Sequence, residues 1–339
     1  MQPMRIPIWL DCDPGHDDTV AILLGCYHPA FEVLGISASY GNASGPNTTY
    51  NARSLLTAIG KAQQIPVYSS ALKPWIRKPE YAPDIHGKSG LDGTELLPLP
   101  VCGLQEESYL EAMERAILNH EGRISIVVTG PLTSLATLLQ QKPYLKQKIK
   151  FISIMGGGIE VGNRNRNNSG EFNVWIDPEA ANFIFKDPDI KDKCILLALD
   201  ITHKAIATED VVANVRGVEA NCSNLRQLFY ELFQYFAHSY KGAQGFDSGP
   251  PLHDPLTLIP LLEFYGWAPS SIVNFEYKRL DLEVDEDNLS PDLGRTRPVR
   301  EYPSNQDKGI IVGINTNMSF FWEQILKALA EAEKCSTIE

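Results

Sequence analysis

Four aspartates stand within eight consecutive residues, Asp11-Cys12-Asp13-Pro14-Gly15-His16-Asp17-Asp18. Like charges crowded in this way are costly unless a cation neutralises them. Carboxylates are hard ligands that favour Ca²⁺ or Mg²⁺ over zinc, and the tolerance of Ca²⁺ for roughly six to eight irregular ligands suits a site built from a loop. The bland alternative is an acidic turn in which Asp17 and Asp18 merely favour a helix N-terminus.

Other polar runs are ambiguous one at a time. His253-Asp254-Pro255 follows a Gly-Pro-Pro bend, so Pro255 is placed to open a helix with Asp254 as its N-cap. Thr129-Gly130-Pro131-Leu132-Thr133 reads equally well as a strand-to-helix turn. Glu171-Phe172-Asn173, if extended, puts a carboxylate and an amide on one side and Phe172 on the other.

What positions these residues is a rhythm of short apolar runs. Ile6 to Leu10, Thr19 to Cys26, Phe31 to Tyr40 and Tyr50 to Gly60 alternate as β, α, β, α, the pattern of a parallel sheet flanked by helices. Ile124 to Val128, Phe151 to Met155 and Cys194 to Leu199 add buried strands. Each run ends in a polar or glycine-rich loop, and in open α/β sheets ligands collect beyond the carboxyl ends of the strands. The predicted fold is therefore α/β, an open, mostly parallel, Rossmann-like sheet. The Pro- and Gly-rich stretch 69–107 is expected to form a functional flap. Asn224 to Lys241 and Ser319 to Lys334 are expected to be helices, and Ile272 to Thr296 strands joined by an acidic loop. With no repeat or linker in view, residues 1–339 read as a single domain.

A net charge of −12, from 42 acidic and 30 basic residues, disfavours nucleic acid and anionic membranes as partners. The six cysteines form no C-x-x-C pair, and no stretch approaches the ~18 apolar residues of a membrane span. A reducing, cytoplasmic setting is expected.

Taken in order and spacing, Asp-x-Asp-Pro-Gly-x-Asp-Asp at 11–18, Gly41-Asn42, Met155-Gly156-Gly157-Gly158, Glu171-Phe172-Asn173 through Ala180, Asp200-Ile201-Thr202-His203 and His253-Asp254-Pro255 resemble the inosine-uridine nucleoside hydrolase family. The likeness runs from about Ile6 to the last helix. Asp84-Ile85-His86-Gly87 adds similarity to the uridine-cleaving fungal branch.

The resemblance implies hydrolysis of a nucleoside substrate to ribose and free base, with uridine preferred, and a homodimer or homotetramer. It implies Ca²⁺ held by Asp13, Asp18, the Thr129 carbonyl and Asp254, with Asp13 also the general base on a water that the metal binds. It further implies that Asp17 and Asn42 hold the ribose 2′- and 3′-hydroxyls and that Asn165, Glu171 and Asn173 contact its 5′ side. Met155 and Phe172 match positions near the ribose, Asp11 a supporting one. His86 and His253 match histidines facing the nucleobase, His253 as leaving-group acid. His16 falls at a position the pattern leaves open. A broad-specificity nucleoside hydrolase, a Mg²⁺ phosphatase that also opens with Asp-x-Asp after a strand, and a non-catalytic nucleoside-binding protein remain as alternatives.

Overall fold

The computed structural model describes residues 4–217, 222–303 and 306–338. Nine strands, β1 (Ile6–Cys12), β2 (Phe31–Ala38), β3 (Val67–Ser69), β4 (Ser125–Val128), β5 (Phe151–Met155), β6 (Cys194–Leu197), β7 (Glu276–Val284), β8 (Thr296–Tyr302) and β9 (Ile310–Asn315), join in one sheet. Their order is β3-β2-β1-β4-β5-β6-β9-β7-β8. From β3 to β9 every pairing is parallel, while β7 runs antiparallel to both β9 and β8.

The strand β1 shows how sequence becomes architecture. All seven of its residues are buried, as expected of a strand covered on both faces. Ile6, Ile8, Leu10 and Cys12 enter one hydrophobic core and Trp9 the other, which follows from the two-residue alternation of side chains. Asp11 shares the parity of Trp9, so its carboxylate is carried into the second face of the sheet, where it accepts a hydrogen bond from Ser37 Oγ on β2 at 2.6 Å. Beyond β1 the chain builds β2 on one side and returns with β4 on the other. This makes the carboxyl end of β1 a topological switch point, where a crevice opens between diverging connections.

One expectation needs correction, and two short elements lie outside the sequence reading. Val67–Ser69 is a strand that was not foreseen; its three residues carry too little pattern, and it forms by pairing with β2. Residues 270–273 form a helical turn, and β8 begins at Thr296. The segment from Ile272 to Thr296 therefore holds one strand and the acidic loop, not two strands. Within the 69–107 stretch a short helix, Pro83–His86, is folded. The long helix Asn224–Gln244 closes on Gly245 in the left-handed conformation (φ 75°), an ordinary helix stop.

Candidate active site

At the carboxyl end of β1 the backbone turns through Pro14-Gly15 into the helix His16–Tyr27. Asp18 reaches back over this turn. Its Oδ2 accepts the Gly15 amide at 2.9 Å and its Oδ1 the Thr129 hydroxyl at 2.8 Å. The Thr129 amide in turn donates to the Asp11 carbonyl at 2.9 Å, tying the loop after β4 to the loop after β1. Carboxylate oxygens of Asp17, Asp18 and Asp254 lie within 4.8 Å of one another. All three residues are buried.

Asp13 stands beside this triplet in a cradle of glycine. Its Oδ2 accepts the Asn42 amide at 2.7 Å. A Cβ on Gly41 would fall 2.0 Å from Asp13 Oδ2, and one on Gly130 2.7 Å from Oδ1, so neither position has room for a side chain. Gly41 also has φ 151°, a conformation rarely adopted by other residues. Asp13 Oδ1 is buried and has no hydrogen-bond partner among the described residues.

Burial, then repulsion from Asp18 and Asp17, pushes the Asp13 carboxyl well above the usual carboxylate range. Asp17 rises to about 8 through burial and then the charge of Asp18. Asp254 is driven up by burial and by Asp17, Asp18 and Asp13. Asp18 is raised by burial against the pull of its bonds from Gly15 and Thr129. So many buried carboxylates, one with an orphaned oxygen, form a donor set that a hard divalent cation satisfies.

A narrow cavity extends from these carboxylates, lined by Asp17, Asn42, Thr129, Met155, Glu171, Phe172 and Asn173, and farther along by His86, Tyr240 and His253. Glu171 is not extended in a strand, as the spacing suggested. It caps the helical turn Phe172–Ile176, accepting from the amides of Asn173 (2.9 Å), Val174 (3.2 Å) and Gly157 (2.8 Å). Capping meets the unpaired amides of a helix start, and it still leaves Glu171, Phe172 and Asn173 on the cavity wall. Burial lifts Glu171 to about 7 despite these three donors. Asn173 Nδ2 donates to the Thr129 carbonyl at 2.8 Å, so that oxygen is directed by an amide on the opposite wall. Asp11 lies behind the cavity, its Oδ2 without a hydrogen-bond partner among the described residues, raised to about 7 by burial and held back by Ser37.

His253 meets the Tyr240 hydroxyl through Nε2 at 2.8 Å and Thr202 Oγ1 through Nδ1 at 2.7 Å. Burial holds its ring well below the ordinary histidine range. Asp254 opens a 3-10 helix, Asp254–Leu258, without capping it, and so its carboxylate is left for the cluster. Thr202 explains part of the Asp200-Ile201-Thr202-His203 run. Asp200 explains more, since its carboxylate receives the amides of Ile159 and Glu160 at 2.8 and 2.9 Å and shapes the loop entering the cavity wall.

The structure brings together every predicted site residue except Asn165. That side chain points into its own loop, accepting from the amides of Asn167 and Ser169 and donating to the Leu293 carbonyl, with φ 69°. Asn163 takes the place on the cavity wall, its Oδ1 buried and unpartnered among the described residues. Arg164, also unforeseen, lines the same wall, with its guanidinium 5.1 Å from the Phe172 ring centroid and an ion pair to Asp84 at 3.2 Å. Of the aromatic residues on the long helix, Tyr240 reaches the cavity while Phe236 packs in the core. A roomier groove of about 650 Å³ lies along another face of that helix, at Tyr230, Gln234, His238 and Lys241. It gathers no comparable set of carboxylates.

A family model described as inosine-uridine preferring nucleoside hydrolase matches residues 8–323. The chain is 60% identical over 340 residues to uridine nucleosidase of Saccharomyces cerevisiae, covering 100% of each. It is 38% identical over 260 residues to the pyrimidine-specific ribonucleoside hydrolase RihA of Shewanella woodyi, covering 77% of this chain and 80% of that one. Among solved structures, the purine-preferring ribonucleoside hydrolase from Gardnerella vaginalis shares the fold with a TM-score of 0.83 at 23% identity, covering 97% of this chain and 99% of that one. Sheet, switch-point cavity and relatives agree: this chain belongs to the inosine-uridine preferring nucleoside hydrolase family and is a nucleoside N-ribohydrolase.

Proposed function

We propose that this enzyme is a Ca²⁺-dependent uridine nucleosidase, hydrolysing the N-glycosidic bond of uridine to ribose and uracil in pyrimidine salvage. The observation that carries this reading is a single cavity with buried carboxylates at one end, amide and carboxylate groups along its wall, and His86, Tyr240 and His253 at the other. The preference for uridine is supported by the two sequence relatives, both named for pyrimidine substrates. Family and fold leave the phosphatase alternative without support.

Asp13, Asp18, the Thr129 carbonyl and Asp254 would hold the cation, and Asp17 lies close enough to Asp18 and Asp254 to share it. When bound, it supplies the positive charge that keeps these carboxylates ionised and draws water and ribose hydroxyls to them. Asp17 and Asn42 bind the 2′- and 3′-hydroxyls. Asn163, Glu171 and Asn173 bind the 5′ side, and Met155 and Phe172 pack against the ring. Asp13 acts as general base: Oδ2 is fixed by the Asn42 amide, and the unpartnered Oδ1 accepts a proton from water as its oxygen attacks C1′. The C1′–N bond breaks with its electrons going to the base. Carboxylates around the sugar, Glu171 among them, stabilise the oxocarbenium-like transition state.

The departing base takes its proton from the histidine end. His253 Nε2 faces the Tyr240 hydroxyl, so an acid role for His253 is relayed through Tyr240, which itself lines the cavity, and it requires the ring, kept neutral by burial in the free enzyme, to take up a proton in the substrate complex. Six unpaired cysteines and the negative charge support a cytoplasmic enzyme, and a homodimer or homotetramer is part of the same proposal. Among the described residues no helix is long and apolar enough to cross a membrane.

Incubation with uridine in phosphate-free buffer tests the reading. Uracil and reducing sugar should appear in equal amounts. No release, or release only with phosphate, overturns it, and faster turnover of inosine than uridine replaces the pyrimidine preference with broad specificity.

A further inference from the structure

Within the acidic motif, His16 has no part in the chemistry described above, yet it is buried at 3% exposure and fully engaged. Its Nδ1 lies 3.1 Å from His86 Nδ1, and its backbone amide donates to that same nitrogen at 3.2 Å. Its Nε2 meets the Asp92 carbonyl at 2.9 Å. The ring lies nearly parallel to those of Phe236 and Tyr235, with centroids 5.3 and 5.2 Å away. His16 thus joins three separate segments: the loop after β1, the flap that carries His86 and Asp92, and the helix Asn224–Gln244.

We infer that His16 is a positioning residue, which holds the His86 ring by its Nδ1 so that Nε2 faces the nucleobase end of the cavity. Both contacts from His16 fall on one nitrogen of His86, and His86 lines the cavity, so Nε2 is the polar ring atom left for a substrate. An imidazole tethered only by its flap is free to turn about its Cβ–Cγ bond. The close approach of His16 to Nδ1, which makes one hydrogen bond there in any one tautomer of the two neutral rings, and the packing of Phe236 on the His86 ring at 5.4 Å restrict that freedom, the kind of support that holds a reacting group in place. The Asp92 bond serves the same end. Asp92 folds the flap on itself by accepting the amides of Lys88 and Ser89 at 3.0 and 3.1 Å, and His16 anchors that folded loop to the motif. The inference rests on the proposed placement of the nucleobase near His86.

Two substitutions separate the contacts. His16→Asn retains an amide near the Nδ1 position, able to donate or accept toward His86, whereas His16→Gln reaches the Asp92 carbonyl and loses the side-chain contact to His86, the backbone amide remaining in both. Uridine kcat is expected to fall by about 10- to 100-fold in His16→Gln, with KM changed less than about threefold, and to recover most of that loss in His16→Asn. With p-nitrophenyl riboside, whose leaving group departs without a proton, the loss in His16→Gln should shrink to under about threefold. In a His86→Ala background, His16→Gln should cost less than about twofold more, because residues acting through one another are non-additive. Equal losses in the Asn and Gln variants, or a full additional loss in the His86→Ala background, overturn the inference. Should both variants unfold, as read by circular dichroism, His16 is a folding residue and the inference is also overturned. A wild-type enzyme that releases no uracil from uridine defeats the functional reading, whereas normal wild-type turnover with unchanged variants defeats this inference alone.

Discussion

Stripping the enzyme of divalent cations should make its stability fall as pH rises, and adding a cation back should reverse the trend. In the metal-free fold the Asp17 carboxyl is held at about 8, against 3.8 for a free aspartate. The folded state therefore binds a proton that the unfolded state has released throughout that interval. Stability from this group is fully present below about pH 4 and is lost progressively as pH climbs to about 8, at about 1.4 kcal/mol per pH unit. Between about pH 5 and about pH 8 the loss is about 4 kcal/mol, and Asp13, Asp18 and Asp254 shift in the same direction. Against a typical net stability of ~5–15 kcal/mol, this corresponds to a fall in Tm of about 6 °C for a protein of this size. Differential scanning calorimetry of chelator-treated enzyme reads the trend directly. Ca²⁺ should raise Tm far more at about pH 8 than at about pH 5, because at the lower pH it competes with protons for the same oxygens. A Tm that is flat or rising with pH in the chelated enzyme, or an equal gain from Ca²⁺ at both pH values, would refute the idea that these carboxylates are an uncompensated nest built around a cation.

Other substitutions divide the roles along the cavity. Asp13→Asn preserves size and an acceptor for the Asn42 amide but removes the base, so kcat for uridine should fall by about 10²- to 10⁴-fold; a loss below about tenfold excludes Asp13 from that role. Asn163→Ala should lower kcat/KM by about tenfold through one lost sugar contact. Asn165→Ala should instead lower Tm, since it removes bonds that staple a loop at φ 69°; the reverse pattern restores Asn165 as the sugar ligand. Gly15→Ala places a Cβ 2.6 Å from His86 Nδ1 and 2.7 Å from Asn42 Nδ2, and a drop in kcat/KM of at least about tenfold is expected with circular dichroism unchanged. Wild-type kinetics in that variant would show that neither side chain needs its present position.

How much of this was readable in advance depended on how far apart in sequence the cooperating residues lie. The carboxylate end was readable because it is local. An apolar run followed by Asp13-Pro14-Gly15 and then Asp17-Asp18 specifies a strand, a turn and a helix start, and the crowding of charge is visible without any tertiary contact. The rhythm of strands and helices likewise placed that end at a switch point. The place of Asn163 on the cavity wall is not legible in a loop that offers four asparagines, Asn163, Asn165, Asn167 and Asn168. In the fold Asn165 and Asn168 adopt left-handed backbone conformations (φ 69° and 52°), which asparagine tolerates better than most residues. The loop therefore coils on itself, and the residue nearest in count is not the one nearest in space. A run of asparagines signals such a coil but not which member escapes it.

The histidine end was the least readable, for a physical reason. His16, His86, Tyr240 and His253 come from four segments, and the bonds joining them span 70 residues for His16 with His86 and 13 for Tyr240 with His253. No local periodicity encodes such meetings; they appear once helix Asn224–Gln244 packs over the flap and the loop after β1. The consequence reaches function. In the proposed mechanism the cation, base and sugar contacts are concentrated around short motifs, whereas the contacts proposed for the nucleobase lie where distant segments converge. Two family members with identical aspartate motifs can therefore differ in leaving group through contacts such as His16 with His86, and substitutions there should alter substrate preference before they alter the common chemistry.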